Sequence, residues 1–444
     1  MALHRPRGMT AFTLVWFGQV VSLMGSSMSG FALTIWAWKL TGSATALSLM
    51  AFFSFGPSIL FSPFAGVLVD RWNKKLVMML SDLAAGLATI VILILYSQGI
   101  LQIWHMYIAG AFTGIFQSFQ WPAYSAAISV MIPKEHYSRA SGMMSLAEWG
   151  SGILSPVMAG ALIGVIGVSG ILIIDIVTFI FAIAMLLWIF VPPVPRSQES
   201  LEGQGSIFKE ALFGFRYILN RRSLLFLQLV FFSGNLMSTL AGVLTSPMIL
   251  ARTGDNAAIL GLVQSVGSAG GIAGSILISI WGGPKKKVYG VLGGWFLSGL
   301  LGEMLYGLRF GLPVWIAAAF FASFFGPIIN SSNQAIWQSK VPPDLQGRVF
   351  SIRRMIAQIT APLAMLIAGP LADFLFEPTM KSNTSPLSTI FAPLTGTGPG
   401  AGMGTIIFLS GVVILGVAIS GWMNPLVRDV ETLIPDHDTV SSPS

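Results

Sequence analysis

Residues 66–75 read Gly66-Val67-Leu68-Val69-Asp70-Arg71-Trp72-Asn73-Lys74-Lys75. Four of these ten side chains are charged, whereas the apolar runs on either side, 44–69 and 76–97, hold one charge between them, Asp82. A helix needs about 20 mostly apolar residues to cross a hydrocarbon core of about 30 Å. The stretch therefore reads as a turn at a membrane surface joining two spanning helices. The rest of the 444-residue chain is made the same way, 54% hydrophobic and 9% charged with a mean hydropathy of +0.78. A soluble domain carries about 25% charged residues, so a soluble enzyme, a disordered chain and a nucleic-acid binder are excluded. There is no cysteine, hence no disulfide, thiolate metal site or cysteine nucleophile. The four histidines are scattered without metal-ligand spacing.

Working outward, the same reading yields twelve apolar runs: 10–38, 44–69, 76–97, 102–131, 138–166, 169–191, 223–251, 256–281, 287–307, 312–339, 346–375 and 403–425. The start at Arg5 and Arg7 mimics a signal peptide, but the first run is too long for one and is expected to stay as the first helix. Twelve spans place both termini on one side. Of the 24 Lys and Arg, only Lys39, Arg252, Arg309 and Lys381 face the opposite side. Basic residues are enriched in cytoplasmic loops, so both termini are expected to be cytoplasmic. The basic pI of about 9.7 is then a topology signal and no nucleic acid is implied.

The expected organisation is an all-α integral membrane protein with twelve transmembrane helices in two pseudo-symmetric six-helix bundles, 1–191 and 223–428. Between them, 192–222 is a cytoplasmic linker. It opens with Pro192-Pro193-Val194-Pro195 and continues as an amphipathic stretch, Ser206 to Arg222, suited to lie along the inner membrane surface. The outer segment 376–402, rich in Thr, Pro, Ser and Gly, is expected to be mobile, and the tail 429–444 to be polar and disordered. Asn383-Thr384-Ser385 is a glycosylation sequon that matters only in a eukaryotic secretory route. Sliding the chain by 209 positions pairs Gln19 with Gln228, Gly25 with Gly234, Trp72 with Trp281, Arg139 with Arg348 and Gly160 with Gly369. Thr41-Gly42 meets Thr253-Gly254 at 212, after a small indel. A register held this long points to duplication. Two parallel copies create a pseudo-twofold axis around which bundles can rock about a central site.

The opening stretch resembles the signature loop of the major facilitator superfamily, G-x-L-x-D-R-x-x-R-K, with Lys74 where Arg is usual. Trp16-Phe17-Gly18-Gln19, Phe119-Gln120-Trp121-Pro122, Ile132-Pro133-Lys134-Glu135 and Gly347-Arg348-Val349-Phe350-Ser351 resemble the macrolide-efflux and siderophore-export branch of its drug:proton antiporters. The resemblance implies the major facilitator fold, alternating access and export of a small molecule, with an importer or passive facilitator of the same fold, or a membrane binding or accessory protein that transports nothing, as the alternatives. It further implies use of a proton gradient without any other cofactor, a monomer, and residence in a plasma membrane, bacterial by the branch. It also makes Gly66, Asp70, Arg71, Lys74, Lys75, Arg139, Gly347 and Arg348 a cytoplasmic gate; ordinary positive-inside charge is the plainer reading of the basic ones. No G-x-x-x-x-G-K-[ST] loop supports ATP-driven pumping, and no nucleophile–base constellation supports an enzyme.

Acids within spans are costly and therefore functional candidates. Glu148 lies about 15 Å along the fifth span and Asp175 about 9 Å from the outer end of the sixth, at 1.5 Å per residue. Both are candidates for proton coupling, against a structural ion pair or a hydrogen-bonded acid; Asp82 and Glu303 lie nearer the interfaces. Arg353 and Arg354 either snorkel to the cytoplasmic face or place one guanidinium in the cavity. Adjacent helical residues point about 100° apart, so both cannot line one surface. Ser151-x-x-x-Ser155-Pro156-x-x-Ala159-Gly160 is a degenerate match to the G-x-x-x-G-P-x-x-G-G pattern of antiporters, and small residues also serve ordinary helix packing. The arginine usual in the fourth span of drug antiporters is missing. Gln19, Ser22, Ser26, Gln117, Gln120, Trp121, Tyr124, Gln228, Asn235, Asn330 and Asn333 are the expected cavity wall, with inter-helix hydrogen bonding as the alternative. Such a wall suits bulky, amphipathic substrates.

Overall fold

The structure, a computed structural model, describes residues 8–133, 136–189, 207–382 and 385–436. Helix is the regular structure of the described residues, with no strand among them. Ten of their helices are long and apolar enough to cross a membrane. One of these is double, and the 29-residue helix Ile103–Met131 adds another, which accounts for the twelve runs read from the sequence. The sequon residues Asn383 and Thr384, Arg5, Arg7 and the proline-rich part of the linker lie outside the described residues.

The first compact unit comprises Met1–Arg196 and Thr253–Ser265. Its helices are α1 (Gly8–Thr41), α2 (Ala44–Arg71), α3 (Lys74–Ser97), α4 (Ile103–Met131) and α5 (Tyr137–Trp188). The 52-residue α5 is two helices meeting at Gly167, whose φ of 67° and ψ of −175° fall in a region open only to glycine. This is the break expected between 166 and 169. Helix α1 packs along α5 and α2 along α4, while α3 touches both α4 and α5. The opening stretch forms the α2–α3 turn, and its residue types explain that turn. Trp72 leaves the helical region, and the Asn73 side chain caps α3 by accepting from Leu76 N at 3.2 Å. Lys74, buried, folds back to donate to the carbonyls of Val69 and Trp72, where a cation opposes the negative end of α2. Lys75 does the same for the end of α5, reaching Ile189 O at 2.6 Å and Leu187 O at 3.2 Å.

The second unit comprises Ser197–Arg252 and Val266–Ser444. Helix α6 (Ile207–Asn220) is the amphipathic stretch; it buries Tyr217 and Ile218 and packs against a helix over Pro343–Gln358. Then come α7 (Arg222–Thr253), α8 (Ala257–Trp281), of which the residues up to Ser265 belong to the first unit, α9 (Lys287–Leu297), whose continuation Ser298–Met304 is π-helical, and α10 (Leu312–Lys340). After α11 (Pro343–Gln358) and α12 (Thr360–Pro370) the chain turns π-helical again over Leu371–Phe376. The core of this unit is built on Leu224, Leu227, Trp295 and Trp337.

Two expectations are corrected here. The outer segment holds a helix, α13 (Pro386–Thr395), and is tied down. Arg252 donates to Leu308 O at 2.8 Å and Thr395 O at 2.9 Å, and Arg309 N donates to Leu394 O. Its Pro–Ser–Thr composition suits the first turns of short helices as well as a flexible loop. The described part of the tail, 429–436, is held by contacts to the rest of the unit. Past α14 (Ala401–Met423), Glu431 accepts from Lys287 N at 3.1 Å and Val288 N at 2.9 Å, satisfying the free donors at the start of α9. Lys340 reaches Asp436 at 2.7 Å.

Candidate functional site

In the first unit, α1, α3 and α4 converge on Asp82. Gln19 Nε2 donates to its Oδ2 at 2.9 Å and Gln120 Nε2 to its Oδ1, also at 2.9 Å. Gln120 Nε2 additionally lies 3.2 Å from Gln19 Oε1, closing a triangle of side chains from three helices. One turn along α4 from Gln120 stands Tyr124. The Tyr124 hydroxyl and Gln120 Oε1 are both buried without a partner, which marks the place as one that can take a further polar group. Asp175, 3% exposed, makes a second clasp: Ser26 donates to Oδ1 at 3.0 Å and Thr89 to Oδ2 at 3.1 Å. The clasp fits because Gly25 lets α1 approach α5 closely. A Cβ at Gly25 would stand 2.2 Å from Thr178 Oγ1 and 3.1 Å from Asp175 Cα.

In the second unit Glu303 is 3% exposed in the π-helical turn. Ser238 donates to its Oε1 at 2.9 Å and Ser298 to its Oε2 at 3.2 Å. Gln228 is buried and donates to Arg353 O at 3.4 Å. Arg353 reaches Gln334 Oε1 at 2.7 Å and lies 5.3 Å over the Trp337 ring, while Arg354 is exposed. The pair thus divides as the 100° step requires. Asn333 is fully buried and accepts from Trp337 Nε1 at 3.1 Å, its Nδ2 unpartnered; Asn330 is exposed and bonds Gly326 O. Among the described residues no group of three or more His, Cys, Asp or Glu is placed to hold a metal ion.

The Major Facilitator Superfamily family model matches residues 15–365. The chain belongs to the major facilitator superfamily. Macrolide efflux protein A of Streptococcus pyogenes is 25% identical over 367 residues, covering 82% of this chain and 89% of that protein. The enterobactin exporter of Shigella flexneri is 25% identical over 350 residues, covering 76% and 79%. Among solved structures, a POT family transporter superposes with a TM-score of 0.65 at 11% identity, covering 95% of this chain and 97% of that one. A bacterial homologue of the lysosomal transporter Spinster gives 0.62 at 14%, with 93% and 96% covered. These two likenesses speak for the fold alone.

Within this facilitator the sequence-predicted site residues separate into three groups. Gln19, Gln120 and Ser26 are brought onto buried acids, Gln228 and Arg353 onto inter-helix contacts, and Asn333 onto Trp337 one turn further along its own helix. Ser22 and Asn235 are half-buried, while Gln117, Arg139 and Glu148 are exposed. Glu148 shares a face of α5 with Ser155, which sits two turns further on and bonds Met24 O. Ser151, which bonds Ser27, completes that ladder, so the serines of the small-residue pattern pack α5 against α1, while Pro156 and Gly160 lie against Gly261 and Ala257 at the start of α8. The side chains of Asp70, Arg71, Trp121 and Arg348, and with them Gly66 and Gly347, lie outside the described residues. What sequence reasoning missed is the centrality of Asp82 and the hydroxyl of Thr89. Asp82 stood out only as an acid in a span, and its partners lie 63 and 38 residues away.

Proposed function

We propose that this facilitator exports a bulky amphipathic molecule, macrolide-like or siderophore-like, in exchange for protons. The Asp82–Gln19–Gln120 triangle carries the proposal. An ionised Asp82 needs both amide donors, whereas a protonated one has a donor of its own and asks an amide to present its oxygen. Changing the proton therefore turns Gln19 or Gln120, and with it the hydrogen-bonding face offered beside Tyr124. A ligand reading that face binds the two states differently, which is what coupling requires. Glu148 and Asp175 are further candidates for carrying the proton. The names of the efflux relatives support the export direction and the substrate class.

The reading includes a single chain in a bacterial inner membrane, both termini cytoplasmic, with bundles 1–191 and 223–428 alternating access around residues of both. The segment 66–75, with Arg139, Gly347 and Arg348, would serve as its cytoplasmic gate. The test is uptake of radiolabelled erythromycin into inverted vesicles or proteoliposomes under an imposed pH gradient. Asp82→Asn is expected to abolish accumulation against a gradient while leaving downhill equilibration intact. Accumulation at the wild-type level by Asp82→Asn would sink the assignment, and indifference of the wild type to the pH gradient would sink antiport itself.

A further inference from the structure

The two units bury a carboxyl in related hydroxyl cradles although the acids come from unrelated positions. At the 209-residue register, Thr89 corresponds to Ser298 and Ser29 to Ser238. In the first unit Thr89 and Ser26, one turn before Ser29, hold Asp175, which arrives from the second arm of α5. In the second unit Ser298 and Ser238 hold Glu303, which arrives from the π-helical turn continuing α9. One hydroxyl position, Thr89 and Ser298, is thus shared by both cradles, and in each a second hydroxyl from the first helix of its unit's bundle completes the hold on an acid that arrives from a different place. A structural filler would be met by an apolar side chain at less cost, since burying an acid in a membrane core is expensive. Single π-turns are frequent at functional sites. The turn here contains Gly299 and Gly302, where a Cβ would stand 2.9 Å from Gly411 O and 2.7 Å from Ala322 Cα respectively.

The charged groups around Glu303 are few. On α7 they are Arg222 and Arg252, at its two ends; on α10 only Lys340, at the far end; α14 has none. Its own helix carries Lys287 and Tyr289 at the other end and the buried Tyr306. Arg252 is committed elsewhere: its guanidinium is taken up by the carbonyls of Gly307, Leu308 and Thr395. Two hydroxyls and one carboxyl are too few oxygens for a hard cation, which takes six or more.

We propose that Glu303 is a second proton-binding site, in the second unit, loaded and emptied during the transport cycle. This rests on the proton-coupled reading above. The step is one proton transfer: a hydronium ion gives a proton to a Glu303 carboxylate oxygen and becomes water, and the acid returns the proton to a water on the other side, which becomes hydronium. Only O–H bonds change. Infrared titration of the full chain in lipid vesicles tests it directly, with no substrate needed. Glu303→Gln, which keeps the length and hydrogen-bonding capacity of the side chain, is expected to remove one titrating carboxyl component that Asp82→Asn leaves in place. Ser298→Ala, which keeps the acid, is expected to displace that component. Superimposable titrations of wild type and Glu303→Gln would overturn the proposal, as would a component indifferent to Ser298→Ala. If the wild type fails to use a pH gradient for erythromycin accumulation, antiport fails, and the infrared component still decides whether Glu303 exchanges a proton.

Discussion

Asp82 and Glu148 show how depth and direction differ as guides to a site. Counting residues from the start of the fifth span puts Glu148 near mid-membrane. Depth does not say which way a side chain points, however, and Glu148 is exposed while Asp82, assigned to the interface, is clasped by two amides. Gln19 and Gln120 are legible as polar residues on helical faces; their choice of Asp82 depends on how three helices pack, which no local spacing encodes. The triangle predicts a specific non-additivity. A hydrogen bond to a charged group contributes about 1.5–3 kcal/mol, so Gln19→Ala and Gln120→Ala should each destabilise the protein by about that much. Each single substitution also removes the Gln120–Gln19 contact. The double variant should therefore lose less than the sum, by about 0.5–1.5 kcal/mol. Unfolding of the four proteins in one detergent measures this, and strict additivity would mean that the two amides act on Asp82 independently.

At the scale of elements, apolar run length determines the spans because nothing else satisfies a backbone in hydrocarbon. Even the break within α5 is visible as a lapse between 166 and 169, and Gly167 supplies its cause. Any Cβ there is strained whatever space surrounds it, so Gly167→Ala should destabilise by about 1–3 kcal/mol. Gly164, one turn earlier, has ordinary helical backbone, and the methyl of an alanine there would meet nothing within 4 Å. Gly164→Ala should therefore be neutral or stabilising by about 0.4–1 kcal/mol. Thermal unfolding of the two variants side by side tests the conformational account, because equal losses would point to packing instead. The elements that sequence misjudges, α13 and the tail residues up to Asp436, are too short to span a membrane and are interrupted by Pro, Ser and Thr or by charges. They are ordered by distant partners, Arg252 and the α9 N-terminus, rather than by their own pattern.

For the whole molecule, duplication and charge asymmetry are the two facts that reach furthest. The register survives in the backbone: Gly42 and Gly254, matched in the sequence, take φ of 58° and 61° in the corresponding turns after α1 and α7. It survives in the Thr89–Ser298 pair but not in the acids these residues hold, so the copies have kept their scaffold and diverged in chemistry. The uneven distribution of Lys and Arg yields a prediction that needs no substrate. Because the chain has no cysteine, any single introduced thiol is a clean reporter. Gln98 lies between α3 and α4, and Phe310 between the end of α9 and α10; both are exposed on what the charge bias makes the outer face. Asn220, at the end of α6, and Lys285, between α8 and α9, are exposed on the inner one. In intact cells a membrane-impermeant maleimide should label Gln98→Cys and Phe310→Cys. It should reach Asn220→Cys and Lys285→Cys only after permeabilisation. The reverse pattern would invert the protein in the membrane and make the export direction untenable. A mixed pattern within one half would break the six-helix count on which the repeat depends.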